Sequence, residues 1–197
     1  MKPAILGGKP IREKSLPYAR QYVDNEDCIE VNKVLKSAFL TTGPKVQEFE
    51  REISNYVGAK YAVAFSSGTA ALHGACHAAG IGAGDEVITT PMTFAASANC
   101  VLYMGGTPVF ADINLDTFNI DPNEIAKKIT DKTRAIIPVD YTGQAVDMDS
   151  IKDSIKGKDI VIIQDAAHSL GTKYKGTKVG NLADMTMFSF HPVKTIT

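Results

Sequence analysis

A series of short apolar runs, separated by helix-like stretches, constrains the fold of this 197-residue chain more than any other feature. Tyr61–Phe65, Glu86–Thr90, Pro108–Ala111, Arg134–Val139, Ile160–Ile163 and Met185–Phe190 have the length and apolar content of strands. Between them, Thr69–Ala79, Thr93–Tyr103 and Asp147–Lys156 read as helices, the last ended by Gly157. Asp121-Pro122-Asn123-Glu124 is a helix start, with Asp as N-cap, Pro in the first turn and Glu three residues on. Two helices precede the series, Asp24–Lys36 and Lys45–Val57. The second is amphipathic, with Val46, Phe49, Ile53 and Val57 on one face. Tyr174-Lys175-Gly176-Thr177 reads as a hairpin turn. Strands alternating with helices over short connections predict an α/β fold with a mostly parallel sheet sandwiched by helices. Ile160–Ile163, apolar without a break, suits a strand buried on both faces.

The bulk numbers exclude some partners. A net charge of -1 with no basic run offers no electrostatic surface for nucleic acid. No apolar stretch approaches the roughly 20 residues needed to cross a bilayer. The opening Met1-Lys2-Pro3-Ala4-Ile5-Leu6-Gly7-Gly8 lacks the apolar core of a signal peptide. Cys28, Cys76 and Cys100 have no metal-ligand spacing and read as buried thiols of a reducing compartment, which makes the cytoplasm the expected location.

In a parallel sheet, ligands gather beyond the carboxyl ends of the strands. Three segments follow strands in this way. Ser66-Ser67-Gly68-Thr69-Ala70-Ala71-Leu72 joins a strand to a helix, and its glycine, hydroxyls and free N–H groups suit a phosphate. A plain N-cap would use the same residues. Asp165-Ala166-Ala167-His168 places an acid at a strand end, where it could cap a turn or serve chemistry. Lys194 follows Phe188-Ser189-Phe190-His191-Pro192-Val193, in surroundings expected to be dry. Phe94, after the strand ending at Thr90, could stack on a flat ring or simply pack in the core. An acid after one strand and a lysine after the next is the pair a pyridoxal 5'-phosphate enzyme uses: the amine attaches the cofactor, and the carboxylate keeps its ring nitrogen protonated.

Ser67-Gly68-Thr69-Ala70, Gly84-Asp85-Glu86-Val87-Ile88, Pro91-Met92-Thr93-Phe94, Gly106-Thr107-Pro108-Val109-Phe110-Ala111-Asp112, Asp165-Ala166-Ala167-His168 and Phe188 to Lys194 occur in that order. From about Leu16 to Thr197 the chain resembles the nucleotide-sugar aminotransferases of the DegT–DnrJ group, within fold type I of the pyridoxal phosphate enzymes. The resemblance implies that Lys194 is the Schiff-base lysine and proton shuttle. Asp165 would pair with the pyridinium nitrogen, and Phe94 would stack on the ring. Ser67, Gly68, Thr69, Ala70 and Ser189 would hold the phosphate, and His168 would lie near the ring hydroxyl. The lysine separates the chain from the family's dehydratase branch, which has histidine there.

A finer resemblance rests on Tyr18, on Ala38-Phe39-Leu40-Thr41-Thr42-Gly43-Pro44, on Val139-Asp140-Tyr141-Thr142-Gly143 and on Phe188-Ser189-Phe190-His191. It points to enzymes that aminate C4 of a UDP-linked 4-keto-6-deoxy-N-acetyl-hexosamine with L-glutamate, as in pseudaminic acid biosynthesis. Tyr18, Ala38, Phe39, Leu40 and Thr41 would then contact the substrate. Relatives of this kind run to roughly twice this length and act as homodimers. The chain is accordingly expected to be an N-terminal arm (1–25) followed by an incomplete large domain (26–197), without the C-terminal domain. Two rival readings are an enzyme for another keto sugar, such as a GDP-linked one, and an inactive fragment that is at most a binding module.

Overall fold

The computed structural model describes residues 2–17 and 20–196. Its centre is a five-stranded, wholly parallel sheet in the order β2-β1-β3-β4-β7. The strands are β1 (Glu86–Thr89), β2 (Thr107–Phe110), β3 (Thr133–Ile137), β4 (Val161–Asp165) and β7 (Met185–Met187). A two-stranded antiparallel hairpin, β5 (Lys173–Tyr174) and β6 (Thr177–Lys178), lies apart from it. Its tip is Lys175-Gly176, with φ of 48° and 87°, the doubly left-handed turn that matches strand twist and favours glycine.

Adjacent residues in the strands serve opposite layers. Val87, Ala135, Ile137 and Ile163 join Leu72, Cys76, Cys100 and Val101 in one core. Ile88, Ile136 and Ile162 join Ile125, Val146, Met148 and Ile151 in the other. Helices α3 (Gly68–Ala78) and α4 (Ala96–Tyr103) therefore cover one face, while α5 (Pro122–Lys128) and α6 (Met148–Ser154) cover the other. The apolar runs of the central strands β1, β3 and β4 are continuous because both faces are largely buried. The chain passes from β1 outward to β2 and then back across β1 to β3. This reversal opens a crevice at the carboxyl ends of β1 and β3.

Helices α1 (Asn25–Leu35) and α2 (Pro44–Val57) precede the sheet. Asp24 caps α1 through a full capping box with Asp27. Asp121 likewise caps α5, accepting from the Asn123 N–H at 2.8 Å. The reciprocal bond expected from Glu124 does not form: its carboxylate pairs with Lys127, and the Asp121 N–H donates to the Asp112 carbonyl.

Three expectations are corrected. Tyr61–Phe65 is extended but belongs to no ladder among the described residues. A strand needs a neighbour within hydrogen-bonding distance, and a cavity lies between this segment and the β7 edge. Tyr61, Val63 and Phe65 consequently remain exposed, while the Ala64 N–H donates to the Glu50 carboxylate at 2.8 Å. The helix expected from Thr93 begins at Ala96, because residues 93–95 form the turn that leaves the β1 end. Cys28 is exposed on α1, whereas Cys76 and Cys100 are buried.

Candidate active site

A cavity of about 1330 Å³ lies at the carboxyl ends of the strands. Ser67, Gly68, Thr69, Phe94, Asp165, His168, Ser189 and Lys194 all line it. Residues far apart in sequence thus meet because each follows a parallel strand or opens the helix after one.

The phosphate-type turn is built by α3. The Ser67 hydroxyl accepts the Ala70 N–H at 3.1 Å. The N–H groups of Gly68 and Thr69, in the first turn, have no intrahelical acceptor and sit at the positive end of the helix dipole. A Cβ on Gly68 would lie 3.0 Å from Met187 Sδ and 3.3 Å from Ser189 Cβ. Glycine is therefore what allows α3 to start directly against the β7 end. Ala70 carries its expected role only through its backbone, and that N–H is already taken by Ser67.

Asp165 ends β4 and is 4% exposed. One carboxylate oxygen accepts the Ser97 hydroxyl at 2.7 Å, and the other the Ala167 N–H at 3.2 Å. Burial pushes its pKa up, and the Ser97 and Ala167 bonds and the charges of His168 and Lys194 pull it back. His168, one turn on, is held below its ordinary value by desolvation first and by the Lys194 charge second. Lys194 is half-buried rather than fully dry, in a turn closed by its N–H on the His191 carbonyl at 2.8 Å. That turn is braced against α2, where Phe49 meets Phe190 edge-on with ring centroids 5.0 Å apart. Phe94 is 77% exposed at the cavity mouth; an aromatic face left open beside buried polar groups is available for a flat ligand.

Sequence reasoning missed a second buried carboxylate. Asp140, 0% exposed, accepts the Val146 N–H at 3.0 Å, both oxygens receive the Gln164 amide at 3.0 and 2.9 Å, and Ser169 donates at 2.6 Å. Its N–H donates to the Asp165 carbonyl, and the Asp165 N–H to Pro138. Burial raises its pKa despite these donors. Asp140 thus ties the loop after β3 to the end of β4 and fixes where Asp165 points. Asp140 stood in the sequence within Val139-Asp140-Tyr141-Thr142-Gly143, after an apolar strand, with no role assigned to its side chain. Ser97, the direct partner of Asp165, was missed as well.

Ala38, Phe39, Leu40 and Thr41 lie between α1 and α2, exposed, and are not among the cavity's lining residues. Tyr18 lies outside the described residues. No group of three or more His, Cys, Asp or Glu suited to a metal occurs among the described residues.

Anion-seeking N–H groups, an open aromatic face, a buried carboxylate and a nearby amine around one cavity fit a flat, phosphate-bearing ring with a basic nitrogen. The fold and this site define a protein of the fold type I transferase kind. Residues 21–197 match the family model described as the DegT/DnrJ/EryC1/StrS aminotransferase family, and the chain belongs to that family. It is 45% identical over 185 residues to the spore coat polysaccharide biosynthesis protein SpsC of Bacillus subtilis, covering 94% of this chain and 48% of that protein. Among solved structures it is similar to Streptococcus pneumoniae Spr1654, described provisionally as a sugar aminotransferase, in its PMP form, with a TM-score of 0.90 and 37% identity over 93% of this chain and 50% of that one. Helicobacter pylori PseC, an aminotransferase of pseudaminic acid biosynthesis, matches with a TM-score of 0.88 and 37% identity, again covering 93% and 50%. The chain spans about half the length of these relatives.

Proposed function

We propose that this chain forms the cofactor-binding half of a pyridoxal phosphate-dependent sugar aminotransferase, which moves an amino group from L-glutamate to C4 of a UDP-linked 4-keto-6-deoxy-N-acetyl-hexosamine. The observation that carries the reading is the convergence of Lys194, Asp165, Phe94 and the α3 N-terminus on one cavity. Likeness to PseC and to a neighbour described in both PLP and PMP forms supports the cofactor and the sugar.

When bound, pyridoxal phosphate would supply the electron sink that amino-group transfer requires. Gly68 and Thr69 would bind its phosphate through backbone N–H groups, with the Ser67 and Ser189 hydroxyls beside them. Phe94 would cover one ring face. Asp165 would accept a hydrogen bond from the ring nitrogen, and so must be ionised to act. Lys194 would hold the cofactor covalently and, once the amino donor has displaced its amine, that amine would move a proton in each half-reaction, off the amino-bearing carbon of glutamate in the first and onto the sugar C4 in the second. His168, whose pKa desolvation and the Lys194 charge lower, would hydrogen-bond at the ring edge. Tyr18 and residues 38–41 would reach the sugar from a neighbouring subunit of a homodimer, a reading supported for residues 38–41 by their absence from the lining of this chain's own cavity.

The test is a two-stage spectral assay. L-Glutamate should bleach the visible band of the loaded protein, and the UDP-4-keto sugar should restore it. Restoration by a GDP-4-keto sugar instead would transfer the substrate assignment to that class. No response to glutamate would refute aminotransfer.

A further inference from the structure

We propose that Ser97, backed by Thr93, is a positioning residue that keeps Asp165 ionised and aimed into the cavity. Ser97 lies in the first turns of α4, is 0% exposed, and its Oγ is 2.7 Å from Asp165 Oδ2. Thr93 Oγ1 is 2.7 Å from the same Ser97 oxygen. A serine hydroxyl has one proton to give, and an ionised carboxylate only accepts. Ionised Asp165 therefore accepts a hydrogen bond from the Ser97 hydroxyl, which leaves the Ser97 oxygen to accept one from Thr93. If Asp165 were neutral, its own proton could run the chain in reverse, toward Thr93 and the cavity that Thr93 lines. The Thr93–Ser97 pair is thus a short wire whose direction records the charge on Asp165.

The placement follows from sequence and packing. Thr93 lies in the turn that leaves β1 and Ser97 in the first turn of α4, with Ala96 between them packed into the core cluster that holds Ile163 of β4. The Ser97 hydroxyl could otherwise satisfy itself on the Phe94 carbonyl, but that contact is longer, at 3.3 Å. Without Ser97, Asp165 would keep a single protein donor, the Ala167 N–H, in a setting where burial opposes its charge. Four other ionisable groups act on Asp165. His168 and Lys194 favour its ionised form, while the Asp165 charge itself pushes up the pKa of Asp140 and of the Cys100 thiol. None of them occupies the Oδ2 position that Ser97 holds. A charged donor–acceptor arrangement of this kind favours the ionised carboxylate.

The inference rests on the reading of Asp165 as partner of the cofactor's ring nitrogen, but it can be tested without cofactor. Carbon-13 NMR of cofactor-free protein, labelled at aspartate carboxyls and assigned through Asp165→Asn, follows the Asp165 titration directly. Ser97→Ala should raise its midpoint by about one pH unit, and Ser97→Thr, which restores the hydroxyl, should return it toward the wild-type value. Thr93→Val, which removes only the outer hydroxyl, should shift it the same way by less, and serves if Ser97→Ala does not fold. An unmoved midpoint in a folded variant overturns the inference. Separately, Lys194→Ala is tested for loss of the pyridoxal phosphate band. Failure of that arm would remove the cofactor reading while leaving the Asp165 titration to decide the role of Ser97.

Discussion

Gly68 and Asp140 are where single atoms decide the site. Adding a methyl at Gly68 would press on Met187 and Ser189 at 3.0 and 3.3 Å, and would separate the α3 start from Ser189. Gly68→Ala should therefore weaken pyridoxal phosphate binding on the order of tenfold, about 1.4 kcal/mol, as read by absorbance titration; unchanged affinity would show that the approach is not needed. Asp140 is surrounded by donors, from Val146, Gln164 and Ser169. Asp140→Asn would set an NH2 group against one of them and should cost about 1–3 kcal/mol in chemical denaturation. That loss should depend on pH. Because the folded-state pKa of Asp140 is raised by burial, its titration favours the native state below the ordinary aspartate value, and this stability is lost as pH climbs through the raised value. The penalty of Asp140→Asn relative to wild type should thus be largest in acid and shrink toward neutrality. A penalty that grows with pH would contradict the assignment.

Among the elements, the central strands β1, β3 and β4 were legible because both their faces are largely buried, so their apolar runs need no context. Ile160–Ile163 and Glu86–Thr90 are the clear cases, matched by β4 and β1 within a residue or two. Tyr61–Phe65 has the same composition and is not a strand, since pairing depends on a neighbour that no local pattern reports. The capping residues Asp24, Ser67, Asp121 and Asp147 all lie where helices begin, because capping is a local interaction. The Ser97–Asp165 bond joins residues 68 apart and could not be read from spacing. Two predictions belong here. Ser67→Ala removes the hydroxyl that caps α3 and should cost about 1 kcal/mol in urea denaturation, with no loss if water replaces it fully. Gly176→Val forces a branched side chain to φ of 87° at the hairpin tip. It should destabilise by roughly 1–2 kcal/mol, measured as a lowered midpoint, whereas an unaltered midpoint would mean that the hairpin is dispensable to the fold.

At the level of the whole molecule, the fold itself assembles the site. A switch in strand order opens a crevice, two apolar layers hold the strand ends in place, and the residues that follow those ends carry the chemistry. Residues 38–41 are exposed and not among the residues lining the cavity, and the chain spans 48% of SpsC. The decisive property proposed for the molecule is that its cavity holds pyridoxal phosphate through Lys194. The direct measurement is to mix the protein with pyridoxal phosphate, reduce with borohydride, digest, and map the pyridoxyl mass addition. A visible band before reduction, with the label on the peptide containing Lys194 and neither feature in Lys194→Ala, is the predicted result. Label on another lysine, or a band that survives in Lys194→Ala, would contradict it.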